Sequence, residues 1–398
     1  MRTTKLLTLL CALAAMVGCA AGGAEFTDPV AKVNPKIGSG GHGHVFVGAN
    51  VPFGMTQVGP TSISQEWDWC SGYHDSENSV IGFSHTHLSG TGCGDLFDVT
   101  LMPVTGEVEY GRGRLGDYST GFWSEADRSK EVVKPGYYSV PLTRYNITAE
   151  MTATERGGLH RYTFPASDEA ALVIDLQNGG CWDSVTESGF DVVGNNRIEG
   201  YRYSSGWAND QKVFFVAEFS KPMQELAITE NGLYGRAKFA TKADEQVYVK
   251  VAISPVSIEG AKANMAAELP DWNFEHTIKA ATEAWNTELA KMRITTADES
   301  AKRVFYTGLY HTMVAPSEFC DVNGDYRGAD GQMHKNPGYT TYTTYSLWDT
   351  YRASMPLMTI MHPERMTDMV NTMLAINDEQ GRLPVWHLWG CETDCMVG

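Results

Sequence analysis

Residues 247–253 read Val-Tyr-Val-Lys-Val-Ala-Ile, an alternation with a period of two that is typical of a β-strand with one face in a core. Similar short runs recur upstream, separated by turn residues, at 45–47, 171–176 and 213–217. Strands at this spacing, without helical runs between them, predict two packed antiparallel sheets. The sequence therefore predicts a β-sandwich domain over residues 28–260.

The pattern changes directly after this strand. Residues 261–297 are rich in Ala, Glu and Lys and carry apolar residues at helical spacing, which predicts a helical linker. Residues 298–398 are predicted to form the N-terminal part of an all-α domain. The helices predicted there span residues 300–315, 344–355 and 362–379. A long loop at 316–343, dense in Gly, Asp, Asn and Tyr, separates the first two, and loops of this length often carry function.

Residues 1–23 have the composition of an export signal. Arg2 and Lys5 form a basic start, residues 6–15 are apolar, and the Met-Val-Gly-Cys run that ends at Cys19 resembles a bacterial lipobox. We therefore predict lipidation at Cys19, with ordinary cleavage in the Ala-rich stretch that follows as the alternative. The apolar run is shorter than the roughly 20 residues that a membrane-spanning helix needs, so a lipid anchor is the only membrane contact predicted.

The formal net charge of −17 and the pI near 5.1 exclude nucleic acid as a partner, because binding of phosphates needs a basic surface stripe. Of the eight cysteines, Cys11 and Cys19 fall within the predicted export signal. The six that remain are too sparse for a disulfide scaffold, although one or two bridges could form in an oxidising envelope. No second tight Cys/His pair accompanies Cys391 and Cys395, so no zinc site is predicted.

Two neighbouring segments concentrate aromatic rings, imidazoles and carboxylates in turn-rich sequence. They are residues 67–74, which read Trp-Asp-Trp-Cys-Ser-Gly-Tyr-His, and residues 82–95. A sugar site needs this mixture, because an aromatic face covers the C–H face of the ring while polar groups bind its hydroxyls. Metal ligation by His85 and His87 from one strand face is one alternative, and plain packing of core and turns is the other.

A third cluster lies in the predicted helical part. Asp349 and Arg352 stand three residues apart and are predicted to share one helix face. Glu392 and Asp394 follow His387 in the last segment. Carboxylates with neighbouring Arg and Trp at helix ends are how toroidal hydrolases line a central pocket, whereas an isolated Asp–Arg pair is most often a surface pair.

Successive segments of the chain carry distinctive motifs from residue 33 to the end. They are VNPKIGSGGHGHVFVGANVPFGM (33–55), WDWCSGYH (67–74), IGFSHTHLSGTGCGD (81–95), DVNGDYRG (321–328), YTTYSLWDTYRA (342–353) and LPVWHLWGCETDCMVG (383–398). In this order they resemble the signature segments of the family 92 glycoside hydrolases, which are exo-acting α-mannosidases.

The resemblance implies an N-terminal β-sandwich followed by an (α/α)6 toroid. It also implies calcium-dependent hydrolysis with inversion and release of mannose from N-glycans or mannan, with α-1,2 as the expected linkage. The organisms in which the family is abundant place the protein in the periplasm or on the outer membrane of a Gram-negative bacterium, as a lipoprotein.

Several residues named above are implied as substrate contacts. Trp69, with Trp67 as the alternative, is similar to a sandwich-domain tryptophan that reaches into the mannose pocket. The positions similar to toroid residues near the sugar are Asp349, Arg352, His387 and Glu392. Among them, Asp349 is expected to hold ring hydroxyls.

Inversion requires a carboxylic acid that protonates the leaving oxygen and a carboxylate that activates water, roughly 6.5–9.5 Å apart. The family segments that carry this pair and the calcium ligands have no counterpart in the sequence. We therefore expect them beyond residue 398 and expect the 398-residue chain to be an inactive fragment. Glu392 and Asp394 are the alternative catalytic candidates. The alternative functions are a non-catalytic mannose- or glycan-binding lipoprotein and a different (α/α)6 glycosidase.

Overall fold

The alternating apolar residues form two antiparallel sheets that pack face to face. A computed structural model of the protein describes residues 28–64, 67–229 and 231–395, and the predicted export signal with Cys19 lies outside these ranges. The strands are β1 (Gly59–Thr61), β2 (Ser79–Val80), β3 (Gly82–Ser84), β4 (Thr100–Thr105), β5 (Ser124–Glu125), β6 (Val132–Lys134), β7 (Tyr137–Leu142), β8 (Ile147–Ala153), β9 (Gly157–Phe164), β10 (Ser167–Asp175), β11 (Ser184–Val193), β12 (Arg197–Ser205), β13 (Gln211–Phe219), β14 (Glu225–Ile228), β15 (Tyr234–Thr241) and β16 (Glu245–Ser254). One sheet has the order β1-β3-β4-β10-β15-β14 and the other β11-β12-β13-β16-β9-β8-β7-β6.

Helices begin directly after β16, where the Ser257 hydroxyl accepts a hydrogen bond from the Gly260 N–H at 3.0 Å and caps the first helix. The helices are α1 (Ile258–Glu268), α2 (Phe274–Leu289), α3 (Glu299–His311), α4 (Leu347–Thr350), α5 (Ser354–Met361) and α6 (Pro363–Gln380). A β-sandwich followed by a helical region confirms the predicted fold class. Within the described ranges, no helix is both long and apolar enough to cross a bilayer.

Strand β16 shows how the sequence builds the core. Val247, Val249 and Val251 are fully buried in the cluster between the two sheets. Ala252 belongs to a separate apolar layer on the outer face, where Met265 of α1 packs over the sheet. Because side chains alternate along a strand, β16 serves the sandwich core with one face and the first helices with the other.

The predicted single helix over residues 344–355 is wrong. The chain forms the short helix α4, breaks at residues 351–353 and starts again with α5. The prediction ended the helix before Pro356, yet Pro356 lies in the first turn of α5. A proline costs no helical hydrogen bond there, because N–H groups of the first turn have no partner within the helix.

Short strands fill the segments around these helices. They are β17 (Ser317–Glu318), β18 (Tyr326–Arg327), β19 (Met333–His334), β20 (Tyr342–Thr343), β21 (Tyr345–Ser346), β22 (Trp386–Leu388) and β23 (Cys391–Glu392). Strands β21, β22 and β23 form a small antiparallel sheet in that order. This sheet joins the start of α4 to the segment that follows α6.

The loop before β1 fastens the sandwich to the helices. Asn50 accepts hydrogen bonds from Trp285 Nε1 on its carbonyl at 2.7 Å and from Tyr310 Oη on its side chain at 3.0 Å. Phe53 donates its backbone N–H to the Met313 carbonyl at 2.8 Å. These contacts are buried, so the two parts of the chain share a fixed interface.

A fully buried ion cluster lies among the loops that follow β3 and β10. Arg202 on β12 donates to Asp98 Oδ1 at 2.6 Å, to Asp183, and to the Leu176 carbonyl at 2.9 Å. Burial raises the pKa of Asp98, and the Arg202 guanidinium opposes that rise. Removing the guanidinium would leave two buried carboxylates without a counter-charge.

Replacement of Arg202 by Met is therefore expected to lower the free energy of unfolding by about 3–5 kcal/mol. Arg197→Met on the same strand is the control, because Arg197 is partly exposed and pairs with Glu199 at 3.1 Å. That variant should lose less than about 1 kcal/mol. Urea denaturation measures both, and equal stabilities would show that the buried cluster does not stabilise the sandwich.

Candidate functional site

A cavity of about 240 Å³ opens between a sandwich loop and the helical region. The sandwich contributes residues 89–91, and the helical region contributes the ends of α3, α4 and α5 together with β21 and β22. We call it the Asp349 cavity. The lining residues used below are Thr91, His311, Ser346, Asp349 and Trp386. The volume is below the roughly 300–1,000 Å³ of sites for drug-sized ligands and suits a smaller polar molecule.

Asp349 supplies the charge of this cavity. Among the described residues that line it, Asp349 carries the only carboxylate. The residue lies in the first turn of α4, and Ser346 Oγ donates to its Oδ2 at 2.6 Å. Oδ1 accepts no hydrogen bond from the described part of the chain, so it is left to accept from a ligand. Trp386 pairs with Ser346 across β21 and β22 and contributes to the apolar wall of the cavity, with only 1% of its surface exposed.

His387 lies behind the cavity rather than in its wall. It pairs with Tyr345 on β21 and with Glu392 on β23, and its side chain points to the opposite face from that of Trp386. Its Nδ1 is 3.3 Å from Thr343 Oγ1. Complete burial lowers the pKa of His387 to about 3, so the ring is neutral at physiological pH.

The Glu392 carboxylate is engaged in hydrogen bonds with backbone amides. It accepts hydrogen bonds from the N–H groups of Val385 and Trp386 at 2.8 Å and of Asp394 at 2.9 Å. Asp394 in turn pairs with Arg382. Neither carboxylate lines the Asp349 cavity, so the two alternative catalytic candidates both have structural partners.

Arg352 does not share a helix face with Asp349, because α4 ends at Thr350. The predicted pair is therefore wrong. Arg352 is exposed and turns onto its neighbour Tyr351, with Nη2 donating to the phenol oxygen at 2.7 Å. The guanidinium lies 4.9 Å from the centre of that ring.

Trp67 lies beside the cavity loop. Its Nε1 donates to the Gly92 carbonyl at 2.8 Å, directly after the loop residues that line the cavity. Trp67 is 47% exposed, and its ring centre lies 4.3 Å from that of His44 in an edge-to-face arrangement. Trp69 instead stacks on His74 with 4.4 Å between ring centres and is not a lining residue. The geometry favours Trp67 over Trp69 as the aromatic side chain next to the cavity.

Asp68 orders the histidines around Trp67. Its Oδ1 lies 2.6 Å from His42 Nδ1 and 3.3 Å from His44 Nε2. The hydrogen bond to His42 lowers the pKa of Asp68, while burial lowers the pKa of His44. The glycine-rich residues 38–44 therefore contact the 67–74 segment through Asp68.

Sequence reasoning missed several residues of the cavity, among them His311 and Thr91. His311 at the end of α3 donates from Nε2 to the Ile37 carbonyl at 3.1 Å, and its Nδ1 has no partner among the described residues. A histidine at the end of an amphipathic helix gives no sign of such a role. Thr91 gave a weak sign, because it is a hydroxyl residue between glycines within the segment 82–95.

The calcium ion that the resemblance implies would need several oxygen ligands, such as carboxylates. Within the described ranges, no three His, Cys, Asp or Glu side chains converge closely enough to hold a metal. His85, considered as a metal ligand, uses Nδ1 on the Val99 carbonyl and lies 2.9 Å from His160. His87 uses Nδ1 on the Gln57 carbonyl at 2.8 Å.

Replacement of Glu392 by Ala removes the acceptor for three backbone amides and is expected to lower the free energy of unfolding by about 1–3 kcal/mol. Asp394→Ala breaks a partly exposed ion pair and should cost less than about 1 kcal/mol. Thermal melting compares the two variants with the unmodified chain. An E392A variant of unchanged stability would mean that the Glu392 carboxylate is free for chemistry.

Comparison with known families matches both parts of the chain. Residues 32–254 match the glycosyl hydrolase family 92 N-terminal domain, and residues 260–398 match the family 92 catalytic domain. A secreted glycosidase of Arthroderma benhamiae, described as uncharacterized, is 24% identical over 370 residues. That match covers 82% of this chain and 45% of the relative.

Solved structures give the same result. A family GH92 α-mannosidase from Bacteroides thetaiotaomicron, solved in complex with mannoimidazole, is 38% identical with a TM-score of 0.90, over 93% of this chain and 51% of that one. An inverting family GH92 mannosidase from Bacteroides thetaiotaomicron VPI-5482 is 24% identical with a TM-score of 0.80, over 94% and 52%. At that identity the second likeness shows the fold alone.

The chain spans about half the length of these relatives. Within that span, the two family models meet where the last sandwich strand gives way to α1, and together they account for nearly all of the described residues. The motifs of the sandwich loops and of the small sheet around Asp349 are thus parts of one known pattern, and the chain belongs to glycosyl hydrolase family 92.

Proposed function

We propose that the Asp349 cavity binds a terminal mannose residue and that the chain is part of an exo-acting α-mannosidase. The observation that carries the proposal is the single exposed carboxylate, held by Ser346 opposite an indole wall in a cavity sized for one sugar ring. Carboxylate oxygens accept hydrogen bonds from adjacent sugar hydroxyls, and an indole packs on the C–H face of the ring. The 38% identity to an α-mannosidase solved with mannoimidazole supports mannose as the sugar.

The residues around Asp349 have distinct proposed roles. Asp349 Oδ1 accepts from ring hydroxyls, and Thr91 adds a hydroxyl from the sandwich loop. Trp67 covers the rim. His387 and Glu392 do not contact the sugar in this proposal. They act indirectly, because they hold β22, the strand that carries Trp386.

The other two predicted contacts lie outside the lining of the cavity. Arg352 is exposed and free to reach a second sugar beyond the cavity. Trp69 supports the loop of Trp67 through its stack on His74.

The cavity supplies binding groups without a second carboxyl group. Hydrolysis with inversion needs an acid and a base roughly 6.5–9.5 Å apart, with water beside the base. In the described part of the cavity Asp349 stands alone, while Glu392 and Asp394 are engaged elsewhere. We therefore propose that the acid, the base and the calcium ligands lie beyond residue 398, and that residues 1–398 bind mannosides without hydrolysing them.

The substrates proposed for the whole enzyme are terminal α-1,2-linked mannoses of N-glycans or mannan. Export with lipidation at Cys19 is proposed from the lipobox-like run, and the relative described as secreted supports export. A non-catalytic glycan-binding lipoprotein is the second candidate, because the same cavity would serve it without any acid or base.

Binding of methyl α-mannopyranoside, measured by isothermal titration calorimetry, tests the cavity. Asp349→Asn should weaken binding by about 10- to 100-fold, because hydrogen bonds to a charged group contribute about 1.5–3 kcal/mol. Asp117→Asn is a matched control, since Asp117 is a partly exposed carboxylate that is also bonded to a serine hydroxyl, at 2.6 Å, but lies outside the cavity. Equal affinities of both variants would overturn the assignment of the cavity.

Hydrolysis of α-1,2-mannobiose separates the enzyme from the binding lipoprotein. Residues 1–398 are compared with a protein extended through the downstream reading frame, each with and without EDTA. Mannose release by the extended protein alone, lost in EDTA, is the expected result. Release by residues 1–398 would mean that Glu392 and Asp394 must be reconsidered as acid and base, and no release by either protein would favour the binding lipoprotein.

A further inference from the structure

Cysteine thiols from three separate segments meet beside the loop that carries Trp67. Cys70 ends the 3-10 turn of residues 67–69, Cys93 follows Gly92 in the cavity loop, and Cys181 lies in the segment between β10 and β11. All of them carry free thiols in the structure. The thiols of Cys70 and Cys181 lie within hydrogen-bonding reach of each other.

Two glycines bring these segments together. A Cβ at Gly94 would lie 2.1 Å from the Cys181 sulfur, and a Cβ at Gly92 would lie 2.4 Å from the Trp67 indole. The Trp182 N–H also donates to the Gly94 carbonyl at 2.8 Å. The turn with Cys70 and the segment with Cys181 therefore converge on the same short stretch of the cavity loop.

The backbone holds both cysteines in place. The Cys70 N–H donates to the Trp67 carbonyl at 3.1 Å, and the thiol is fully buried. On the other side, Arg112 Nη2 donates to the Gly179 carbonyl at 2.8 Å and fixes the segment that leads to Cys181.

The two thiols differ in reactivity. The hydrogen bond from Cys70 lowers the pKa of Cys181 to about 7, and the charge of Arg112 acts in the same direction against the effect of burial. Cys181 is also partly exposed, whereas Cys70 is not. A thiolate that is accessible and formed near neutral pH is the attacking group in thiol–disulfide exchange.

We propose that Cys70 and Cys181 form a disulfide that ties the turn of Trp67 to the segment between β10 and β11. The oxidant is a small or protein disulfide donor of the cell envelope. The Cys181 thiolate attacks one donor sulfur, breaks the donor S–S bond and releases a donor thiolate that takes up a proton. Cys70 then loses its proton and attacks the Cys181 sulfur of the mixed disulfide. The second donor thiolate leaves, so two protein thiols are oxidised and the donor is reduced to two thiols.

The disulfide would be connected to the cavity through two sets of contacts, one at Trp67 and one at Trp182. Trp67 is three residues from Cys70 and bonds the Gly92 carbonyl beside the cavity lining. Trp182 stacks on Trp207 with ring centres 5.9 Å apart, and Trp207 lies 5.5 Å from Trp386 of the cavity wall. Any effect on mannoside affinity rests on the proposed sugar site, whereas the bond itself rests only on the proposed export of the chain to an oxidising compartment.

Peptide mapping of the chain isolated without reductant tests the proposal. Free thiols are blocked with iodoacetamide before digestion, and a linked pair of peptides containing Cys70 and Cys181 is expected in the mass spectrum. The pair should disappear when dithiothreitol precedes the blocking step. Iodoacetamide adducts on both cysteines, or a link from either of them to Cys93, would overturn the proposal.

Thermal melting gives an independent readout that needs no sugar. The bond closes a long loop, so the melting temperature of the unmodified chain should fall by several degrees in dithiothreitol. Cys181→Ser should melt at the same temperature with and without the reductant. Cys395→Ser, which alters another partly exposed thiol, should keep the dependence. Loss of the dependence in C395S instead would show that a different pair is oxidised.

Discussion

The position of the helices on the sandwich depends on buried hydrogen bonds that the loop before β1 makes with α2, with α3 and with the residues directly after α3. Asn50 holds Trp285 and Tyr310 at once, and Gln57 adds a bond from Nε2 to the Val314 carbonyl at 2.9 Å. Each of these groups is buried, so breaking one bond leaves an unpaired polar atom at a cost of about 1–3 kcal/mol. Apolar packing alone would allow the helices to slide over the sandwich. Hydrogen bonds are directional, so they fix the helices in one position. The Asp349 cavity follows from that arrangement, because its two walls belong to different parts of the chain.

Two charged side chains described above, those of Arg202 and Glu392, are committed to structure. Arg202 is fully buried and binds two carboxylates within the sandwich. The carboxylate of Glu392 accepts hydrogen bonds from three backbone amides. Asp349 differs from both, because it is exposed and keeps one oxygen unused among the described residues. Burial and hydrogen bonding, rather than the number of acidic residues nearby, thus distinguish the carboxylate of the candidate site from the others.

The architecture was predictable from the sequence where the pattern is local. The alternation around Val247 sets which side chains enter the sandwich, and the change to helical spacing from residue 261 indicates where the helices follow. The break after α4 was not predictable, because Pro356 reads as a helix end although it serves as a first-turn residue. The prediction that Asp349 and Arg352 share one helix face failed for the same reason, because α4 ends between them. The role of Glu392 depends on amides that only the folded hairpin brings to it, and no sequence spacing encodes that.

The row of indoles formed by Trp182, Trp207 and Trp386 makes the cavity optically accessible. Neighbouring ring centres in this row are 5.9 and 5.5 Å apart, close enough for the electronic transitions of adjacent indoles to couple. Coupled chromophores give a near-ultraviolet circular dichroism signal that depends on their mutual orientation. The last indole of the row is the wall of the cavity, so the protein carries an intrinsic spectroscopic reporter of that wall, without an added dye or label.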